Sequence, residues 1–381
     1  MTPWIVRHPC RVAVWGAAVL LVGCARTPPP QPLAPAAVAA DIEISLFLIG
    51  DAGEPEPGDP VLAAARGEVV EPERSVVLFL GDNVYPSGLP DSSDPDWPEM
   101  ARRLGEQVAL VTEAGATGYF VAGNHDWGHG LAGMVRQDLL IERDGRERVR
   151  LLPEPGCPGP SVVDVGAHVR LVLLDTQWWF RLDYPPDSTR ACSVVAPQVV
   201  TDSLRAVLTG AGQRHVVVAA HHPLASGGPH GGKFDWTWHI FPLRRLAGWL
   251  WLPLPVIGSA YPLSRQAGVK RQDLSSGPYR AFRDSMRSAF AEHPPLVYAA
   301  GHEHNLQVIE DRGGAQYLVV SGAGYFGHTN PAHDIDGSLY AGRHSGFVRL
   351  DVTRDGRVRL GVVTVNEDGE TREAYSRWLA P

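Results

Sequence analysis

Short runs of β-branched and apolar residues recur along the chain, and most of them end at a glycine or a polar residue. Such runs are typical of β-strands, and we predict strands at residues 42–49, 76–80, 118–121, 161–165, 169–174, 215–219, 296–299, 306–309, 316–320, 346–352 and 358–365. Helical spacing of apolar residues predicts helices at residues 97–114, 197–208 and 278–290. Alternating strands and helices favour an α/β sheet, and the later strands favour a second, partly antiparallel sheet packed on the first. We expect one domain over residues 41–381.

An insertion at about residues 227–276 interrupts this rhythm and is rich in aromatic residues: Trp236, Trp238, Phe241, Trp249, Trp251 and Tyr261. Apolar residues recur at helical spacing over residues 243–250, but Pro253 and Pro255 make the segment unsuitable for spanning a membrane. One interpretation is a lid whose aromatic side chains pack against the domain, and the other is a surface that touches a bilayer. We favour the lid, because aromatic stripes usually serve packing.

The first forty residues are not expected to belong to the fold. Arg7 and Arg11 precede an apolar stretch over residues 12–22, a pattern that is typical of a secretory signal. The stretch ends at Leu21-Val22-Gly23-Cys24, which resembles a bacterial lipobox and predicts cleavage of residues 1–23 and lipidation of Cys24. The alternative is an ordinary signal peptide. Residues 24–40 would then be a proline- and alanine-rich tether, which places the domain in the bacterial cell envelope, at the periplasmic or outer-membrane face.

Charge and cysteine content narrow the candidate partners. The formal net charge is −8, and the loss of residues 1–23 would leave −10. No broad basic face is available for a nucleic-acid backbone, so nucleic acids are not expected partners. Cys157 and Cys192 would remain after processing, and in an oxidising compartment they could form a disulfide or stay as two thiols.

Five polar motifs follow predicted strands in a fixed order: Gly50-Asp51-Ala52-Gly53, Gly81-Asp82-Asn83-Val84-Tyr85, Gly123-Asn124-His125-Asp126, Ala220-His221-His222-Pro223 and Gly301-His302-Glu303-His304. Open α/β sheets place ligand sites on the loops that leave the carboxyl ends of strands. Each motif is weak alone, but together they gather carboxylate, phenol, amide and imidazole donors. Such donors hold two cations side by side, and a bridging carboxylate offsets the repulsion between the cations. The sequence therefore predicts a binuclear metallohydrolase, with Asp82 as the bridge.

Individual histidines have different expected roles. His222 is expected to be a neighbour of the site that holds no metal. His302 and His304 are separated by one residue, so in extended backbone both would face one way and reach different ions. His230 and His328 lie in loops near the motifs and are candidates for substrate contact.

The order of these motifs resembles the calcineurin-like metallophosphoesterase superfamily, and within it the small purple acid phosphatases of the tartrate-resistant type. The resemblance spans roughly residues 44–365, and it includes Tyr85, the segment after His304 and Ser321-Gly322-Ala323-Gly324. It implies a four-layer sandwich of two packed mixed β-sheets flanked by helices. Two departures are Ala52, where the purple enzymes usually have an aromatic residue, and the long segment between His221 and His302.

The resemblance also implies a set of ligands. One ion, ferric in the family, would be held by Asp51, Asp82, Tyr85 and His304. A second, divalent ion (Fe, Zn or Mn) would be held by Asp82, Asn124, His221 and His302.

The implied reaction is hydrolysis of a small phosphorylated substrate, in which a metal-bound hydroxide attacks phosphorus in line. His125 would donate a proton to the leaving oxygen, and Asp126 would steady the His125 ring. The favoured activity is that of a phosphomonoesterase. The alternatives are a phosphodiesterase or nucleotide hydrolase with the same metals, or a non-catalytic surface lipoprotein stabilised by metal. The sequence predicts no oligomeric state.

Overall fold

Two mixed β-sheets form the centre of the fold. The computed structural model describes residues 33–181, 192, 196–245 and 247–380, so the predicted signal segment, Cys24 and the first part of the predicted tether lie outside the described residues. The strands are β1 Ile42–Ile49, β2 Ser75–Phe79, β3 Thr117–Phe120, β4 Val149–Leu151, β5 Ser161–Val165, β6 Val169–Leu173, β7 His215–Ala219, β8 Val297–Ala300, β9 Leu306–Glu310, β10 Tyr317–Ser321, β11 Ser338–Gly342, β12 Gly346–Thr353, β13 Val358–Val365 and β14 Thr371–Ala380. The helices are α1 Pro60–Glu68, α2 Trp97–Ala114, α3 Gly130–Gly145, α4 Gln177–Phe180, α5 Pro197–Thr209, α6 Trp236–Ile240, α7 Pro255–Gln266 and α8 Gly277–Phe290.

The strand order shows how each sheet mixes parallel and antiparallel pairs. One seven-stranded sheet has the order β14-β13-β12-β1-β2-β3-β4, in which β1 to β4 run parallel and the other neighbours pair antiparallel. The other has the order β11-β9-β10-β8-β7-β6-β5, with β6, β7, β8 and β10 parallel. Parallel neighbours bring their carboxyl ends to one edge, where the predicted motifs lie.

Successive side chains of β1 point to opposite faces of its sheet and so pack into two different layers of the fold. Leu46 and Leu48 belong to the apolar core between the two sheets, whereas Phe47 and Ile49 belong to the core under α1, α2 and α3. A third core covers the outer face of the second sheet, where α5 and α8 pack on β7 and β8. The predicted four-layer sandwich of two mixed sheets flanked by helices is confirmed.

Several elements differ from the sequence-based prediction. The short edge strands β4 and β11 and the polar strand β14 were not predicted, and neither were α1, α3 and α7. Apolar residues recur at helical spacing over residues 243–250, but the described part of that stretch forms only a short 3₁₀ turn at Pro242–Arg245. Among the described residues, no helix is both long enough and apolar enough to cross a membrane.

The folded unit begins at Leu33, within the segment predicted to be a tether. The guanidinium of Arg359, which is 2 % exposed, donates hydrogen bonds to the carbonyl oxygens of Ala34 (2.8 Å) and Pro35 (2.9 Å). Arg359 also pairs with Glu373 at 2.6 Å. Residues 34 and 35 are thus held against the end of the first sheet by a buried charge.

Candidate metal centre

The five motifs lie on loops at the carboxyl ends of β1, β2, β3, β7 and β8, as predicted. Three of their donor residues have left-handed backbone: Asp51 (φ 56°), Asp82 (φ 53°) and His302 (φ 68°). Non-glycine residues rarely adopt this conformation, and it concentrates at functional sites because surrounding contacts must enforce it. The expectation of extended backbone around His302 is therefore wrong, although His302 and His304 do reach different groups of donors.

The first group of donors surrounds the hydroxyl of Tyr85. Its oxygen lies 2.9 Å from Asp51 Oδ1, 3.2 Å from Asp82 Oδ2 and 3.1 Å from His304 Nε2. His304 Nε2 also lies 3.4 Å from Asp51 Oδ1. This first donor set combines two carboxylates, a phenol and one imidazole, which suits a hard, highly charged cation.

The second group of donors surrounds the side-chain oxygen of Asn124. That oxygen lies 3.0 Å from His221 Nε2 and 2.9 Å from His302 Nδ1, and the two nitrogens are 3.2 Å apart. Asp82 Oδ2 lies 3.5 Å from His221 Nε2. The second donor set, with two imidazoles, suits a borderline divalent cation. The same Asp82 oxygen belongs to both sets.

The packing of these donors fits two cations. The Tyr85 hydroxyl carries one hydrogen, yet it lies within 3.2 Å of three polar atoms, two of which are carboxylate oxygens that accept hydrogen bonds. Asp51 and Asp82 are each 1 % exposed, and in the described part of the chain their ion pairs are with histidines rather than with lysine or arginine. Burying two carboxylates together is costly unless cations compensate them.

The electrostatic environment of the donor residues favours the binding of positive charge. Burial alone would raise the pKa of Asp82, but the charge and hydrogen bond of His221, together with the charge and backbone hydrogen bond of His125, outweigh burial and lower it. Burial alone would lower the pKa of His221, whereas Asp82 and Asp51 raise it to about 9. Burial, followed by the charges of Asp51 and Asp82, raises the pKa of Tyr85 well above its usual range. The phenol is therefore neutral in the metal-free protein, and its ionisation would require a nearby cation.

Two glycines let the loops approach this closely. A Cβ at Gly123 would overlap the backbone nitrogen and Oδ1 of Asp82. A Cβ at Gly322, in the segment that follows β10, would lie 2.7 Å from Asp51 Oδ2. Both positions therefore accept only a residue without a side chain.

His125 lies at the mouth of the site, with its side chain 39 % exposed. Its Nδ1 donates to the carbonyl oxygen of Pro86 at 2.5 Å, and its Nε2 lies 4.0 Å from Asp82 Oδ2. The carbonyl of Pro86 can only accept, so Nδ1 carries a hydrogen and Nε2 is the atom available to a bound ligand.

The expected role of Asp126 is wrong, because its carboxylate does not contact the His125 ring. Asp126 is fully buried and accepts hydrogen bonds from the backbone nitrogens of Gly123 (2.7 Å), Asn83 (2.9 Å) and Val84 (3.1 Å). It also accepts one from Asn83 Nδ2 at 3.0 Å. Asp126 therefore joins the loops after β2 and β3, which positions their donors indirectly. Sequence order alone could not reveal this, since three of the four partners are backbone nitrogens.

His222 lies beside the second donor set. One of its ring nitrogens is within 4.8 Å of donor nitrogens of His221 and His302. Its Nδ1 is 2.8 Å from the hydroxyl of Thr176, and burial, followed by the charge of His221, lowers the pKa of His222 well below its usual range. We therefore assign His302 Nδ1 and His221 Nε2 to the second set, since both contact Asn124 and His222 does not.

The insertion supplies one wall of the cleft, a contribution that the sequence did not make clear. The cleft has a volume of about 490 Å³ and is lined by Asp82, Asn124, His125, His230, Lys270, Arg271, Gln272, His302 and His304. His230 is the one histidine of the insertion there, and its ring centroid lies 4.0 Å from that of His302. The sequence predicts His230 as a candidate for substrate contact, but it contains no pattern that indicates a role for Lys270.

Glu303 attaches the insertion to the centre, and it was overlooked because it lies between two metal-seeking histidines. Its Oε1 accepts hydrogen bonds from Ser226 Oγ and the backbone nitrogen of Gly231, both at 3.0 Å. Within the insertion, Arg265 and Asp273 form a buried ion pair whose atoms approach to 2.5 Å. Glu303 therefore ties the insertion to the loop after β8, and the Arg265–Asp273 pair holds the insertion itself together.

The remaining predicted site residues are the two cysteines. Cys157 and Cys192 form a disulfide with their Cα atoms 5.3 Å apart. Cys157 is 5 % exposed and precedes β5, so the bond ties the β6–β7 connection to the loop before β5.

The sequence is similar to tartrate-resistant acid phosphatases of mammals. The sequence is 23 % identical to the tartrate-resistant acid phosphatase type 5 of Rattus norvegicus over 255 residues, which is 66 % of this chain and 61 % of that protein. It is 25 % identical to the protein of the same name from Oryctolagus cuniculus over 73 % of this chain and 72 % of that protein. The chain thus spans less than two thirds of the rat relative's length. No protein-family model matches the sequence.

A solved structure shares the fold. It is GAP50, described as the anchor in the inner membrane complex of Plasmodium, with a TM-score of 0.53, 16 % identity and 89 % of each chain covered. At this identity the likeness concerns the sandwich architecture alone.

Proposed function

We propose that the protein is a binuclear metal-dependent phosphoesterase that hydrolyses phosphate monoesters. The observation that carries this proposal is the geometry around Asp82 Oδ2, an atom that belongs to two adjoining donor sets. Distant similarity to tartrate-resistant acid phosphatases supports the same activity.

The donor chemistry suggests which ions are bound. Asp51, Asp82, Tyr85 and His304 would hold Fe(III), and Asp82 with Asn124, His221 and His302 would hold a divalent ion (Fe, Zn or Mn). When bound, the two ions would polarise phosphoryl oxygens and lower the pKa of the attacking water.

The chain's own groups would orient and protonate the substrate. His125 Nε2 lies at the cleft mouth while Nδ1 is fixed on Pro86, so the ring can deliver a proton to a leaving oxygen without losing its orientation. His230 and Lys270 also line the cleft and would provide hydrogen-bond donors for the phosphoryl group.

A substitution at His125 distinguishes a catalytic role of the metal centre from a purely structural one. We expect His125→Ala to lower kcat for an aryl phosphate by about 10²- to 10⁴-fold, with both ions retained. His129→Ala is the matched control, because that ring is exposed and outside the cleft. Unchanged turnover in His125→Ala would favour a non-catalytic, metal-stabilised surface protein instead.

Cleft size favours a second candidate, a phosphodiesterase or nucleotide hydrolase using the same donors. A volume of about 490 Å³ accommodates more than a phosphate group, and Lys270 and Arg271 add positive charge to its wall. Comparing kcat/KM for an aryl monoester and the corresponding bis-ester would distinguish the two activities. Lys270→Ala should raise KM up to about fivefold for a polyanionic substrate, whereas Lys233→Ala, outside the cleft, should not.

We also propose that the domain is lipid-anchored through Cys24 in the bacterial envelope. The disulfide between Cys157 and Cys192 supports an oxidising compartment. Intact-mass analysis of the membrane-extracted protein should show residues 1–23 absent and acyl chains on Cys24. A mature protein that begins elsewhere, without added mass, would contradict this proposal.

A further inference from the structure

The insertion carries a cluster of large apolar side chains that face solvent. We call it the aromatic surface, and it consists of Trp236, Trp249, Trp251, Leu252, Val256, Ile257 and Leu263. Each of these side chains is between 54 % and 84 % exposed. The expectation that the insertion buries its aromatic residues is therefore wrong for the three tryptophans. Soluble monomers rarely expose contiguous apolar patches of this kind unless the patch contacts a partner or a membrane.

The periodicity of α7 explains why these residues face outward. Gly258, Pro262 and Arg265 are buried against the rest of the insertion. Val256 and Leu263 occupy the opposite side of the helix, where they are 84 % and 55 % exposed. The amphipathic pattern is thus inverted at the surface, since the apolar stripe of α7 is the exposed one.

An ordered base holds the aromatic surface in place. The backbone nitrogen of Leu254 donates to the carbonyl oxygen of Ile240 at 2.7 Å, which joins the start of α7 to the end of α6. The rings of Phe241 and Trp251 meet edge to face with centroids 5.1 Å apart. The guanidinium of Arg244 lies 3.8 Å from the centroid of the Trp251 ring. Aromatic and cationic groups are therefore presented together.

Charge along the insertion is opposite to that of the whole chain. Residues 236–272 contain no aspartate or glutamate, although the chain as a whole has a formal net charge of −8. The basic residues of this segment are Arg244, Arg245, Arg265, Lys270 and Arg271. Of these, Arg265 is buried against Asp273, and the sequence of the segment itself contains no acidic residue to offset the charge of the others. A segment with this composition is complementary to an anionic surface.

We propose that the aromatic surface docks on the headgroup region of an anionic lipid bilayer. Tryptophan favours the membrane interface, and arginine beside it pairs with lipid phosphate. The bilayer is favoured over a second copy of the chain, because a symmetric contact would place the same basic segment against itself. Residues 270–272 of this segment also line the catalytic cleft, so docking would hold the cleft near the membrane.

The test uses a chain of residues 25–381, which lacks the predicted acylated Cys24 but retains the whole folded unit from Leu33 onward. Co-sedimentation is measured with vesicles of phosphatidylcholine, with and without phosphatidylglycerol. We expect binding to the anionic vesicles with a blue shift of tryptophan emission, and weaker binding at high salt. Combining Trp249→Ser and Ile257→Ser should weaken binding by at least about tenfold.

Matched variants separate docking from a folding defect. Leu139→Ser removes an exposed apolar side chain (59 % exposed) on α3, outside the insertion, and should leave binding unchanged. Val256→Ser serves as a second docking variant, since an 84 % exposed side chain can be replaced without disturbing the fold. The proposal is overturned if the chain binds neither vesicle, if Leu139→Ser weakens binding as much as the docking variants do, or if the aromatic surface instead drives dimerisation without lipid binding.

Discussion

Replacing Tyr85 with phenylalanine removes one oxygen atom from the first donor set and leaves the second set complete. In the metal-free protein, the Tyr85 hydroxyl donates to the buried carboxylate of Asp51 at 2.9 Å. A hydrogen bond to a charged group contributes about 1.5–3 kcal/mol, so the free energy of unfolding of the metal-free protein should fall by that amount. Urea unfolding after chelation measures this change.

Tyr85→Phe should weaken the binding of the first ion and leave the donors of the second ion unchanged. Tyr85→Phe deletes one of the donors in the first set, whereas the donors around Asn124 are untouched. Removing a partner one shell away from a metal typically costs about 10–100-fold in affinity, and removing a ligand should cost at least as much. We expect the stoichiometry to fall from two ions per chain toward one, and any visible absorption of an iron–phenolate pair to vanish.

Tyr279→Phe is the matched control for this experiment. Tyr279 is fully buried, and its hydroxyl donates to the carbonyl oxygen of Pro223 at 2.7 Å, outside the donor sets. Its removal should cost about 0.5–1.5 kcal/mol of stability without changing metal content. If Tyr85→Phe kept both ions and an unchanged spectrum, the assignment of Tyr85 to the first ion would be refuted.

Two further predictions concern backbone space and pH. Gly123→Ala should abolish metal binding, because its Cβ would overlap Asp82. A Cβ at Gly105 in α2 would meet nothing within 4 Å, so Gly105→Ala should stabilise the protein by about 0.5–1 kcal/mol. Metal analysis by plasma emission and urea unfolding measure both changes. Burial raises the pKa of Asp175 to about 7, despite its hydrogen bond from Trp127. The neutral carboxyl therefore contributes stability that is fully present below the pKa of Asp175 in the unfolded chain, near 4, and that is lost as the pH rises through 7. Asp175→Asn should flatten the pH dependence of unfolding of the metal-free protein by about 2–4 kcal/mol between pH 4 and pH 8, and an unchanged slope would contradict the argument.

Much of the fold could be predicted because buried parallel strands have continuous apolar runs. The strand at 42–49 and the strand at 215–219 were predicted with the bounds that the structure shows, since both are buried and end at polar motifs. β14 was not predicted, because it lies at the edge of a sheet and mixes charged, polar and apolar residues without a regular alternation, a composition that resembles a surface loop. β4 is only three residues long and leaves no readable pattern.

The donor residues could be predicted because each follows a strand. Topology brings those after β1, β2 and β3 to one edge of the first sheet and those after β7 and β8 to one edge of the second, and the packing of the two sheets brings these edges together. The roles of Asp126 and Glu303 could not be predicted, since most of their partners are backbone nitrogens, whose positions depend on how the loops fold. The exposure of Trp249 and Trp251 could not be predicted from the sequence either, because an aromatic stripe has the same pattern whether it faces a core or solvent.

Crystallography of the metal-loaded protein, with anomalous scattering recorded at the edges of iron, zinc and manganese, tests the central claim most directly. We predict two anomalous peaks about 3.5–4 Å apart, with the Asp82 carboxylate between them, Tyr85 on one ion and Asn124 on the other. A single peak, or a metal bound by His222 with Asp82 uncoordinated, would contradict the binuclear centre proposed for this chain.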